Sequence, residues 1–322
     1  MTANRARLRS NDKRTAKYAV TSLTPSACYA KLVLTAVFWG GTFIAGRHVS
    51  QHLGPFTIAL LRFAIASVIL LMLTVAKEGR LPALRASQIG PVILLGLTGI
   101  FAYNVMFFKG LKLIEAGRAA LIIATCPAFI AAASALFLKE KLGRGALAGI
   151  PLSALGAAVV ISRGDLRQIA AGGVGWGELF ILSCVASWVA YSLIGKAVMQ
   201  KLSPLASVSY SAVVGTVALA VPAALLEGLG PNLGRASLLD WVAIAYLTVF
   251  GTVIGFVWFY EGVKLIGPTR AGLFINIVPI SAVVLAFLIL QEPITWSLAA
   301  GAILVLSGVY LTNKKSMAAR GT

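Results

Sequence analysis

FWGGTFIAGRHVSQHLGP (38–55) and SWVAYSLIGKAVMQKLSP (187–204) are one segment written twice, 149 residues apart. Trp39/Trp188, Gly46/Gly195, Val49/Val198, Gln51/Gln200, Leu53/Leu202 and Pro55/Pro204 are identical pairs. At an offset of 152, GLKLIEAGRAAL (110–121) falls on GVKLIGPTRAGL (262–273). Pro127/Pro279, Glu140/Glu292, Gly149/Gly301 and Gly156/Gly308 stay in that second register, and a small insertion accounts for the change of offset. Apolar sequence repeats itself by chance in Leu and Ala. It does not keep Trp, Pro, Glu and Gly in order over about 120 residues.

Each copy contains five apolar runs of about 20 residues, the length that crosses a bilayer as a helix. They fall at 29–49, 55–76, 89–108, 116–138 and 143–162, then at 177–198, 203–226, 237–260, 267–290 and 293–312. An odd number of spans per copy puts the copies in opposite orientations. The sequence therefore predicts an all-α polytopic membrane protein of ten transmembrane helices, arranged as two inverted five-helix repeats. The first repeat covers 29–162 and the second 177–312, with a linker at 163–176. A basic cytoplasmic tail is expected over 1–28 and a short cytoplasmic tail over 313–322.

Composition agrees. Of 322 residues, 59% are apolar and 12% charged, against about 25% charged in soluble domains, so membrane lipid must serve as solvent for much of the surface. A net charge of +18 would point to nucleic acid in a soluble protein. Here the cations sit in short segments between apolar runs, so no nucleic-acid partner is expected. With both termini inside, 20 of the 28 Lys and Arg lie on the cytoplasmic side and 7 outside, as the positive-inside bias requires. Residues 1–28 resemble the start of a signal peptide, but the following run is too long and carries Trp39 with no clear small-residue cleavage site, so a retained first helix is expected. Cys28, Cys126 and Cys184 have no metal-ligand spacing and read as small packing residues. Gly145/Gly149 and Gly251/Gly255 have the spacing of close helix contacts in lipid.

The joint order of these residues resembles the EamA-type transporters of the drug/metabolite transporter superfamily. The likeness lies in Trp39-Gly40-Gly41 of the first helix, Pro55 with Arg62 in the second, and the Pro and following Glu of helices four and nine (Pro127/Glu140 and Pro279/Glu292). It covers about 29 to 312. The resemblance implies a multi-pass carrier of the bacterial inner membrane, commonly an exporter of amino acids or related metabolites. The second copy departs from the pattern at Ser211, which leaves Arg62 without a basic partner, so an asymmetric site is expected.

Within this frame several residues are candidates for binding a small-molecule substrate. Trp39 and Trp188 fall mid-span, although membrane Trp favours the interfaces. Thr42 and Tyr191 share their faces one turn on. These stripes line a central cavity, with water or substrate as acceptor for the indole N–H groups, or they pack helix against helix. Arg62 lies inside a span, where an isolated cation is costly. It faces substrate carboxylate, bonds to the protein, or snorkels outward. Pro127 and Pro279 interrupt their helices and act either as hinges or as packing kinks. Asn276 lies beside the second break, and Tyr103 and Asn104 are further candidates in the third span.

Other classes fit less well. His48 and His52 sit at a helix end and do not form an H-E-x-x-H set. No paired deep carboxylates argue for an intramembrane enzyme, and no charged ring argues for a channel. A membrane-embedded sensor or scaffold is the remaining alternative. Glu115, Glu140, Glu178, Asp240, Glu261 and Glu292 all lie near helix ends, so no deep proton carrier is visible. Neither a cofactor nor a metal is expected, and oligomeric state is not written in the sequence.

Overall fold

The computed structural model describes residues 25–167, 172–199 and 202–318. Most of the expected N-terminal tail, part of the linker and residues 319–322 lie outside them. Among the described residues ten helices are long and apolar enough to cross a membrane. They are α1 (Ser26–Val49), α2 (Pro55–Glu78), α3 (Ala86–Leu113), α4 (Ala116–Leu138) and α5 (Arg144–Ile161), then α6 (Trp176–Val198), α7 (Pro204–Glu227), α8 (Leu238–Val263), α9 (Arg270–Leu290) and α10 (Trp296–Asn313). Successive spans alternate in direction. The start of α1 and the end of α10 share one face, called proximal here, and the opposite face is distal.

Local chemistry sets the ends. Pro55 and Pro204 open α2 and α7, where a missing N–H costs nothing. The Ser203 hydroxyl accepts from the Ala206 N–H at 3.1 Å, and Ser237 and Asp240 cap α8 reciprocally. One boundary differs from expectation by more than about three residues: α3 runs to Leu113 instead of ending near 108. Its added turn carries Lys109, whose ammonium lies 5.7 and 5.6 Å from the ring centroids of Phe56 and Phe180. That cation–π contact lets the charge stay on a continuing helix. The linker is also shorter by one residue, because Trp176 is the first residue of α6.

The inverted duplication is visible in the irregularities of the backbone. α3 carries a π turn over Gly96–Ala102, and α8 carries one over Val249–Ile254. α4 is interrupted at Ala124–Thr125 and α9 by a 3₁₀ turn over Phe274–Asn276. Both helices end in a left-handed residue, Lys139 (φ 54°) and Gln291 (φ 55°). Packing follows the same symmetry. α1 lies against α8 and α9, α6 against α3 and α4, α2 against α7, α4 against α9 and α5 against α10. In the last pair Gly149 meets Gly308 and Gly156 meets Gly301, so each glycine faces the counterpart of the other. Small residues let two backbones approach this closely in lipid. Outside, Met72, Leu136, Phe137, Leu225, Leu226 and Ile303 are exposed, as suits side chains solvated by hydrocarbon.

Candidate functional site

The Arg62 guanidinium is drawn into the bundle and does not snorkel. The residue is 8% exposed; Nε donates to Thr252 Oγ1 at 3.0 Å and Nη1 donates to Asn104 Oδ1 at 3.2 Å. None of the described ion pairs includes Arg62. Its partners are themselves fixed. Thr252 Oγ1 donates to Leu247 O at 3.0 Å, and Asn104 Nδ2 donates to Ile100 O at 2.8 Å. Both partners belong to or follow a π turn, a distortion frequent at functional sites.

α1 completes this half. Trp39 Nε1 donates to Gly251 O at 3.1 Å, and its ring lies 5.8 Å from Phe256 and 5.4 Å from Phe259. The indole acceptor is thus a π-turn carbonyl of α8, a helix-to-helix contact. Thr42 donates to Trp39 O at 2.6 Å and turns its methyl onto Gly251. Trp39, Thr42 and Arg62 therefore converge on Gly251 and Thr252, and Asn104 joins them through Arg62. Sequence reading missed Thr252; its signal was a hydroxyl inside the GTVIG of the second GxxxG.

The other half is aromatic. Trp188 lies 5.4 Å from Tyr103 and 5.1 Å from Tyr191 between centroids. Tyr191 packs on Gly99 in the first π turn and reaches Ser211. The Cys184 thiol, buried, donates to Tyr103 O at 3.4 Å. Tyr103 and Asn104 are adjacent in α3, so this dipeptide joins the two halves. Asn276 is half-buried in the 3₁₀ turn of α9, and no described contact links it to Arg62. At the α4 break, the Thr125 N–H and hydroxyl both donate to Ile122 O, at 3.2 and 2.6 Å.

A second set of polar contacts joins the repeats at the distal face. Glu292 accepts from the N–H groups of Ala116 and Gly117 at 2.9 and 3.1 Å. Such a carboxylate satisfies orphan donors at the start of α4 and complements the helix dipole. Arg118 pairs with Glu178 at 2.8 Å and donates to Ile161 O at 3.0 Å. Glu227 accepts from Phe56 N, Thr57 N and Thr57 Oγ1 at 3.0, 2.8 and 2.7 Å. Asp240, almost fully buried, lies 2.9 Å from His52 and 3.3 Å from His48, so the two histidines are tied to an acid that sequence reading left unconnected to them.

The proximal face is different. Glu140, the counterpart of Glu292, is exposed and pairs with Lys196. Arg270, the counterpart of the buried Arg118, is exposed. Glu261 gathers Lys31 at 3.0 Å and Lys77 at 3.5 Å. Two cavities lie at opposite faces. One of about 340 Å³ is bounded distally by Arg118, Glu292 and Trp296, and one of about 650 Å³ proximally by Glu78, Arg85 and Gln88. Trp39 and Trp188 line neither.

A ten-helix bundle made of inverted repeats, with broken helices and a buried cation between the copies, defines a membrane-transport protein. The chain belongs to the EamA-like transporter family, whose sequence pattern matches residues 26–162 and 175–314. It is 30% identical over 282 residues to the uncharacterized transporter YyaM of Bacillus subtilis, covering 87% of this chain and 92% of that one. It is 31% identical over 293 residues to a probable terminal-alkyne amino-acid exporter of Streptantibioticus cattleyicolor, covering 90% and 94%. A solved crystal structure 21% identical to it superposes with a TM-score of 0.62 over 87% of this chain and 96% of the other, a likeness of fold.

Proposed function

We propose that this chain is a secondary carrier that exports a small metabolite bearing a carboxylate, an amino acid or a related compound, by alternating access across a bacterial inner membrane. The observation that carries the reading is the unequal state of two equivalent acids. Glu292 caps α4 at the distal face, while Glu140 stands exposed at the proximal face. Inverted repeats in unlike conformations seal one end of a central site and leave the other loose, and exchange of the two conformations carries the site across. With both termini cytoplasmic, as the Lys and Arg distribution argues, the present state is closed to the outside. Arg62 supplies the only described side-chain cation among the candidate site residues, and a guanidinium can hold a carboxylate through two parallel hydrogen bonds. The amino-acid exporter among the relatives supports the same substrate class.

The test is counterflow in liposomes. Purified protein is expected to exchange labelled amino acids or their N-modified derivatives and to ignore the matching amides. Loss of exchange in Arg62→Leu should accompany it. A preference for uncharged or cationic solutes would overturn the substrate class, and reporter fusions placing residues 2 and 322 outside would overturn the direction.

A further inference from the structure

His48 and His52, at the distal end of α1, and Asp240, at the start of α8, meet away from the Arg62 site. We propose that these three side chains form a binding site for a divalent d-block cation of the zinc type, which staples the two repeats together at the distal face.

Geometry comes first. His48 Nε2 lies 3.3 Å from Asp240 Oδ1, His52 Nδ1 lies 2.9 Å from the same oxygen, and the candidate ligand atoms all fall within 4.8 Å of one another. Tetrahedral zinc holds nitrogen and oxygen at roughly 2.0–2.2 Å, which places ligand atoms about 3.3 Å apart. Both nitrogen–oxygen separations, 3.3 and 2.9 Å, are close to that spacing. The imidazoles lie with centroids 4.9 Å apart and planes inclined by 65°, so they are not stacked and can aim at one point.

The surroundings fit an ion better than they fit a simple hydrogen-bonded triad. His48 Nε2 is sealed from solvent and makes no hydrogen bond in the described structure, despite its approach to Asp240. A buried nitrogen left without a bond is costly, and a metal ion would satisfy it. Asp240 is held from behind, as Oδ2 accepts from Ser237 N at 2.9 Å and Ser237 Oγ at 2.7 Å. Such outer bonds orient a ligating carboxylate and leave its other oxygen facing the metal. Arg47, the nearest cation in sequence, is directed elsewhere, donating to Leu111 O at 2.5 Å. His52 is half exposed, which opens a path from the distal solution and leaves a fourth position for water.

The ligands come from different repeats. α1 carries Trp39 and Thr42, and α8 carries Gly251 and Thr252. An ion bound at their distal ends would hold these two helices together and favour the distally closed state. Metal binding itself does not depend on what is transported.

Tag-free full-length protein in detergent is titrated with Zn²⁺ by calorimetry and with Co²⁺ by visible absorption. One saturable equivalent is expected, with the intense ligand-field bands of tetrahedral Co²⁺ and a rise in Tm with Zn²⁺, since a ligand that binds only the folded state stabilises it. His52→Ala, at a half-exposed position, should abolish the bands and the Tm rise in a protein that still folds. Ser237→Ala should weaken binding by about 10–100-fold. Absence of saturable binding in the folded protein, or equal affinity in the His48→Gln/His52→Gln double variant, would overturn the site. Loss of transport activity with binding intact would bear on the carrier reading alone.

Discussion

Thr42 and Tyr191 occupy the same position of the two repeats, and each closes on the equivalent glycine of a π turn, Gly251 in α8 and Gly99 in α3. The partners one helix on are exchanged in size. Short Thr42 goes with long Arg62, which reaches Thr252, and long Tyr191 goes with short Ser211. The duplicated scaffold is thereby filled to similar volume in both halves, with a cation on one side and a phenol on the other.

The Gly251 contact has a direct test. A Cβ on Gly251 would lie 2.6 Å from Thr42 Cγ2, closer than side chains tolerate. Gly251→Ala should therefore destabilise the fold by about 1–3 kcal/mol, the usual cost of overpacking. Thr42→Ser removes that methyl while keeping the hydroxyl that bonds Trp39 O. The double variant should recover most of the lost Tm. If Thr42→Ser gives no rescue, the π turn is not packed on α1 as described.

Arg62 separates binding from folding. It is buried without a carboxylate partner among the described ion pairs, so removing its charge leaves no uncompensated acid behind. Arg62→Leu strands only the Asn104 oxygen, because Thr252 keeps its bond to Leu247. Stability should change by no more than about 1–3 kcal/mol. Substrate affinity should fall roughly 10–100-fold, the worth of a charge-assisted hydrogen bond. Arg62→Lys keeps the charge but not the planar fork, and an intermediate affinity is expected. Tryptophan fluorescence titration reads the affinities, and normal binding by Arg62→Leu would remove the residue from the site.

The tightest seam of the bundle is α5 on α10. A Cβ on Gly308 would sit 2.6 Å from the Gly149 carbonyl oxygen, whereas one on Gly272, near the start of α9, meets nothing within 4 Å. Backbone cannot give way as a side chain can. Gly308→Ala is expected to lower the unfolding midpoint in detergent. Gly272→Ala should raise it slightly, since Ala is favoured over Gly in a helix by about 1 kcal/mol. Equal effects would mean that the seam is looser than its glycines indicate.

How much of this was legible in the sequence depends on the distance over which each feature is encoded. Hydropathy and the duplicated Trp, Pro, Glu and Gly positions declared ten spans and two inverted copies, because lipid imposes length and apolarity locally. The convergence of Trp39, Thr42, Arg62 and Asn104 was half legible: the residue types stood out, but their partner Thr252 did not, being an ordinary hydroxyl until a π turn presents it. Asn276 drew notice for its type beside a proline, and no described contact joins it to Arg62. The His48–His52–Asp240 meeting was unreadable, since it joins positions 188 residues apart in chain order. The role of Glu292 was likewise hidden, because its partners are backbone N–H groups that carry no signature of their own.

Glu292 and Glu140 give the last prediction. Both follow a left-handed residue at the end of a helix, Gln291 and Lys139, whose φ angles differ by one degree. Local geometry is thus the same, and what differs is the partner. Glu292 holds the first N–H groups of α4. In the mirrored arrangement Glu140 would meet the counterparts of Ala116 and Gly117, and the first of these is Pro268, which has no N–H. The proximal clamp therefore has one donor fewer than the distal one, which biases the resting protein toward the distally closed state. Glu292→Gln removes the charge that complements the α4 dipole and should shift the population toward distal opening. Glu140→Gln should have little effect on the resting state, because among the described residues its carboxylate pairs with exposed Lys196. Spin labels at Lys112 and Ile294, exposed distal positions on opposite repeats, report the opening as a lengthened distance. A longer distance in Glu140→Gln with none in Glu292→Gln would reverse the assignment of the clamp.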